Sequence, residues 1–174
     1  MEELKLVDIG ALGAWSVSSC KVGSGIKELR EDNPESFWQS DGAQPHYLDI
    51  HFSKKVSISR ISIFTDFARD ESYTPSKITF LAGNGFHDLI EVTTVELNQP
   101  SGWTHIPFDE EQEIGGKCLK TFLVRLLILA NHQHGKDTHL RAVKIYSPMT
   151  TYSLNSGILG SFTSRKLQSE AVIR

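Results

Sequence analysis

Short apolar segments of period two, cut apart by turn formers, recur along most of this chain, and few folds accept such a pattern. Leu48, Ile50 and Phe52 alternate with Tyr47, Asp49 and His51, which predicts a half-buried strand. Ile78, Phe80 and Ala82 alternate in the same way and run into Gly83-Asn84-Gly85, where a strand should stop. Residues 92–97 read as strand up to Asn98-Gln99-Pro100-Ser101-Gly102, and 103–108 as a short strand that Pro107 places at an edge or a strand end. Residues 122–130 are almost unbroken apolar, as expected of a central strand covered on both faces. Val143, Ile145 and Tyr146 close the series. Val56 and Ile58 share one parity, Ile61 and Ile63 the other, and the switch at Ser59-Arg60 predicts a bulge or a loosely set register. Helical signal is confined to one or two turns within 24–30, ended by Asn33-Pro34. Many short strands separated by turns predict an all-β sandwich.

Composition narrows the function classes. At 174 residues the chain suits one domain with a sizeable core. A net charge of −3 argues against a dedicated nucleic-acid binder, which shows a basic excess. No apolar run approaches the ~18 residues of a membrane span; Arg125 interrupts the longest. Met1-Glu2-Glu3-Leu4-Lys5 lacks the cationic and apolar regions of a signal peptide, so a nuclear or cytosolic protein is expected. Cys20 and Cys118 make no disulfide framework and read as buried or partly buried thiols. Beyond Pro148 the strand periodicity is lost. Residues 150–174 form a Ser/Thr-rich, mildly basic tail that, extended, spans on the order of 80 Å.

The polar density sits in loops. Asn131-His132-Gln133-His134-Gly135-Lys136-Asp137-Thr138-His139-Leu140-Arg141 carries more polar groups than a chain reversal needs. His132, His134, His139 and Asp137 could supply zinc ligands, but the His-x-His pair lies in a glycine-containing loop, where no strand fixes its geometry. A hydrogen-bonding loop with no metal is the expectation. No Gly-x-Ser-x-Gly elbow, P-loop or dinucleotide fingerprint is present, and neither cysteine has a catalytic context, so nothing favours an enzyme. Two further loops resemble the first in character: 32–42, with Phe37 and Trp38 among turn formers, and 66–77. Phe37, Trp38, Trp15 and Trp103 read as core aromatics. Asp41, Asp70, Glu71 and Tyr73 read by default as solvated surface. If the three loops meet at one end of the sandwich they form a polar recognition face. Its acceptors favour basic or hydrogen-bonding ligands, and Asn131, His132 and Gln133 can pair with an extended peptide backbone. A free-standing carbohydrate- or metal-binding module is the alternative.

A series of motifs sharpens this. Trp15-Ser16-Val17-Ser18-Ser19-Cys20-Lys21, Glu28-Leu29-Arg30-Glu31-Asp32-Asn33, Phe37-Trp38-Gln39-Ser40-Asp41-Gly42 and Gln44-Pro45-His46 resemble, in order, the DOC-domain family. So do Asp70-Glu71-Ser72-Tyr73-Thr74-Pro75-Ser76-Lys77, Pro100-Ser101-Gly102-Trp103 and the loop from Asn131 to Arg141. The resemblance covers residues 7–148. It implies a jelly-roll β-sandwich of the galactose-binding type over 1–149, with a short N-terminal helical segment and a docking tail over 150–174. It implies a non-catalytic subunit of the anaphase-promoting complex (cyclosome), a cullin-RING-type ubiquitin ligase of cell-cycle control, without cofactor or metal, in nucleus and cytoplasm. Its implied partners are the other subunits, a WD40 co-activator and destruction-box substrates, whose processive ubiquitination it promotes. The degron would meet Ser40, Asp41, Gly42, Asp70, Glu71, Ser72, Tyr73, Asn131, His132, Gln133, His134, Asp137 and His139. The family docks a C-terminal Ile-Arg into a TPR subunit, and this chain ends in Ile173-Arg174. One position departs from the pattern: the family commonly has Asn where this chain has His134, which weakens the metal reading further.

Overall fold

The inward rows of alternating residues define two sheets with one core between them. A computed structural model describes residues 5–31, 33–108 and 118–149. In chain order the strands are β1 (Leu6–Asp8), β2 (Gly13–Val17), β3 (Trp38–Gln39), β4 (His46–Ile58), β5 (Arg60–Asp66), β6 (Pro75–Gly83), β7 (Ile90–Glu96), β8 (Ser101–Pro107), β9 (Leu119–Asn131), β10 (His139–Leu140) and β11 (Ala142–Pro148). One sheet has the order β1-β11-β5-β8, the other β2-β4-β9-β6-β7, and β3 pairs with β10 as a separate two-stranded piece. All the pairings are antiparallel. Leu48, Ile50, Phe80, Val124, Leu126 and Ile128 of the five-stranded sheet meet Ile61, Ile63, Ile106, Val143 and Ile145 of the other in one buried cluster.

The parity switch at Ser59 has a cause other than a bulge. β4 belongs to the five-stranded sheet and β5 to the four-stranded one, so the chain changes sheets there. The Ser59 amide donates to Tyr146 O at 2.8 Å and its carbonyl accepts from Phe108 N at 2.9 Å, which fixes the corner. The register irregularity lies earlier, between His51 and Val56 against β9. β8 is an edge strand, as Pro107 predicts. β9 is central, but cover on both faces holds only in part: Val124, Leu126 and Ile128 point into the core, while on the opposite face Leu123 is buried and Leu129 is 47% exposed.

Helix α1 (Ile26–Arg30) occupies the expected place. The Glu28 carboxylate accepts from the Gly25 amide at 2.8 Å and so caps its start. A second short helix, α2 (Phe67–Asp70), continues into a 3-10 turn (Glu71–Tyr73), and another 3-10 turn follows β9 (His132–His134). Trp38 is fully buried, with its indole N–H on Ser19 O at 2.9 Å. Trp103 corrects the core expectation: it lies on the outside of the four-stranded sheet, edge-on to Phe64. Cys20 is likewise exposed rather than buried. No helix among the described residues is long and apolar enough to cross a membrane. The tail expected over 150–174, with Ile173 and Arg174, lies outside the described residues.

Candidate functional site

The three polar loops do meet at one end of the sandwich, and the first tie between them is the short β3–β10 pair. Its register sets His139 opposite Gln39 and Leu140 opposite Trp38. Ser40 extends the seam: its amide donates to Thr138 O at 3.1 Å, and its Oγ accepts from the Thr138 amide at 2.9 Å. The same hydroxyl donates to Asp137 Oδ1 at 3.3 Å. Asn131 closes the loop from inside, its Nδ2 donating to Gly135 O at 3.2 Å and Asp137 O at 2.8 Å. Gln44 Nε2 donates to Gly135 O at 3.1 Å and Lys136 O at 2.9 Å, and His46 Nε2 donates to Lys136 O at 2.6 Å. Orphan carbonyls of the loop are thereby satisfied by side chains.

The second tie is ionic. Asp70, 5% exposed, accepts Arg141 Nε at 2.9 Å on Oδ2 and Arg141 Nη2 at 2.7 Å on Oδ1. His139 Nδ1 lies 3.0 Å from the same Oδ1, which makes it the protonated ring nitrogen. Burial pushes the Asp70 carboxyl up, but the hydrogen bonds from His139 and Arg141 and the guanidinium charge outweigh it, so its pKa lies below the usual carboxylate value. Arg141 Nη1 also donates to Pro34 O at 2.6 Å, which pins the loop before β3. The His139 ring is held between Phe37 and Tyr73, with both ring centroids 4.3 Å away.

The third tie joins the two 3-10 turns. The His132 amide donates to Thr74 O at 2.9 Å, and Gly135 packs so closely that a Cβ there would stand 1.7 Å from Ser72 O. His132 meets Phe67 edge-on. The histidines thus diverge, and among the described residues no group of three His, Cys, Asp or Glu side chains is placed to hold a metal.

The expected site residues therefore divide. Ser40, Asp70, Asn131 and His139 are buried and hydrogen-bond within the loops, while Asn131 Oδ1 and His139 Nε2 are buried without a hydrogen-bond partner among the described residues. Ser72, His132 and Asp137 are half-buried; Asp41, Gly42, Glu71, Tyr73, Gln133 and His134 are exposed. Glu71, Gln133 and His134 adopt left-handed φ of 46°, 52° and 59°, an uncommon state for residues other than glycine. Arg141, Phe37, Gln44 and His46 are structural members that the sequence reading left off the face. Arg141 carried a signal, a charge at the mouth of an apolar strand.

The fold and this end define a class: a galactose-binding-type jelly roll with three loops locked into one polar platform. Solved structures similar to it include the family 32 carbohydrate-binding module of C. perfringens NanJ in complex with galactose, with TM-score 0.68, 14% identity and coverage of 82% of this chain and 100% of that one. CpGH89CBM32-5 from Clostridium perfringens, in complex with GalNAc-β-1,3-galactose, gives TM-score 0.65 at 9% identity over 80% of this chain and 99% of that one. Such identities establish the architecture alone. In sequence, this chain is 47% identical to Homo sapiens anaphase-promoting complex subunit 10 over 84% of this chain and 78% of that protein. It is 49% identical to the Schizosaccharomyces pombe subunit 10 over 82% of this chain and 74% of that protein. It is 38% identical to Saccharomyces cerevisiae anaphase-promoting complex subunit DOC1 over 85% of this chain and 59% of that protein. Residues 2–172 match the family described as "Anaphase-promoting complex, subunit 10 (APC10)", and the chain belongs to that family.

Proposed function

We propose that this chain is a non-catalytic subunit of the anaphase-promoting complex that offers its loop end to destruction-box degrons, jointly with a WD40 co-activator. It contributes binding rather than chemistry and so raises the processivity of ubiquitination, in nucleus and cytoplasm. Residues Ile173 and Arg174 dock it to a TPR subunit. Beyond family membership, one observation supports the reading most. Glu71, Gln133 and His134 hold left-handed backbone at the exposed tip of a platform that the Ser40 and Asn131 side chains tie together from inside by hydrogen bonds. Strained, exposed backbone kept in place by its surroundings is characteristic of binding sites. The expected division of labour follows: Ser40, Asp70, Asn131 and His139 position the loops, while Asp41, Gly42, Glu71, Ser72, Tyr73, His132, Gln133, His134 and Asp137 present the face. The test replaces Glu71, Gln133 and His134 together by Ala in the reconstituted ligase. The folded variant should enter the complex yet lose at least about ten-fold in destruction-box capture; parental capture would remove the loop end from recognition. Deleting Ile173 and Arg174 should instead lower incorporation and leave capture by the incorporated fraction unchanged.

A further inference from the structure

We propose that the outer face of the five-stranded sheet is a permanent protein interface, covered in the assembled complex by an uncharged, aliphatic-rich surface of another subunit. The proposal rests on the subunit reading above. It begins from the anomaly in β9. A strand with one face in the core and one in water alternates apolar and polar residues, yet between Thr121 and Asn131 the outer row of β9 reads Leu123, Arg125, Leu127 and Leu129, with Arg125 as the polar side chain among three leucines. Register extends the row sideways: Tyr47 of β4 stands opposite Leu127, and Leu81 of β6 stands opposite Arg125. Phe86, from the β6–β7 turn, folds over the same side and is 59% exposed, while Leu129 is 47% exposed.

The charges on this face are what select the occupant. Arg125 and Asp49 form a two-pronged pair at 2.7 Å and 2.8 Å, and Asp49 is already buried. The guanidinium lies 4.1 Å from the Tyr47 ring centroid and 5.8 Å from that of Phe86. Its charge is therefore met from the side by a carboxylate and from its faces by rings, before any partner arrives. Covering such a pair adds little desolvation cost, whereas a charged partner would find no counter-charge at the centre. Around the apolar patch lies a polar margin: Lys77 paired with Glu96 at 3.1 Å, and Glu91 accepting from Thr94 at 2.7 Å. Tyr and Arg anchors in an apolar centre with a polar rim are the anatomy of a stable interface.

The experiment co-expresses the full chain with the remaining subunits and measures its occupancy in the purified complex. The variant pair is Phe86→Ser with Leu129→Lys, both at exposed positions, so the thermal midpoint of the isolated chain should stay near the parent's. A control pair, Leu12→Lys with Val22→Lys, places charge at exposed apolar positions elsewhere, Leu12 being 67% and Val22 99% exposed. The expected result is a loss of occupancy of at least about ten-fold for the first pair and none for the control. Parental occupancy of the first pair, or equal loss in the control, overturns the proposal. So does an isolated chain that is dimeric and becomes monomeric in the variant, because the occupant would then be a second copy. If the parent itself fails to join the complex, the subunit reading fails instead.

Discussion

Burying a carboxylate is unfavourable unless its charge is met, and at Asp70 three hydrogen bonds meet it: two from Arg141 and one from His139. Asp70→Asn keeps the shape but leaves the Arg141 guanidinium, itself 5% exposed, without a counter-charge. The expected cost is roughly 3 kcal/mol in denaturant unfolding, and a cost below about 0.5 kcal/mol would show the pair to be dispensable. The pH dependence has a definite sign. The folded-state pKa of Asp70 is lowered, so the unfolded chain binds its proton first as pH falls. The stabilisation is present above the ordinary carboxylate value, about 4, and is lost as pH drops below it through the folded value. Asp70→Asn should flatten that acid limb of the stability curve, and a parallel limb in the variant would assign the acid sensitivity to other groups.

At the scale of elements, the two 3-10 turns work as a unit because Gly135 lets them touch. Its φ of −57° is ordinary, so the demand for glycine is one of space: an added methyl would fall on Ser72 O. Gly135→Ala must push the 71–73 turn away from the 132–134 turn, and the expected destabilisation is about 1–3 kcal/mol, measured by urea titration. A neutral result would mean that the turns part freely. That contact joins residues 63 positions apart, and it also marks where reading the chain alone stops. Period-two rows identified the strands and their inward faces, because alternation is a local signal. The change of sheet at Ser59 looked like a bulge, since parity records a flip of face but not which sheet follows. The unbroken run in β9 implied cover on both sides, and composition cannot distinguish a second protein layer within the chain from one outside it. The loops were recognisable as polar and as a motif series. Which of their side chains turn inward was not, because Asp70 and Glu71 are neighbours of like charge with opposite fates.

At the scale of the molecule, the apolar core and the polar platform are held by different forces, and this predicts how they separate. The sandwich buries aliphatic rows from both sheets. The platform relies on Arg141, which reaches Asp70, Pro34 and the Phe37 ring from the start of β11. Arg141→Lys retains a charge but cannot reproduce a planar fork that donates to a carboxylate and a carbonyl together. Loss of the fork should loosen the platform as a sub-global unit while the sheets remain closed. Hydrogen exchange reads this directly. In Arg141→Lys the amides of Ser40, Thr138 and Gly135, bonded to Thr138 O, Ser40 Oγ and His132 O, should lose protection. Amides of Leu126 and Ile145, in the interior of β9 and β11, should keep theirs. Uniform loss across both groups would mean that platform and sandwich unfold as one unit. In that case recognition by the loop end could not be tuned without unfolding the protein, and the separation of positioning from presenting residues would have no energetic basis.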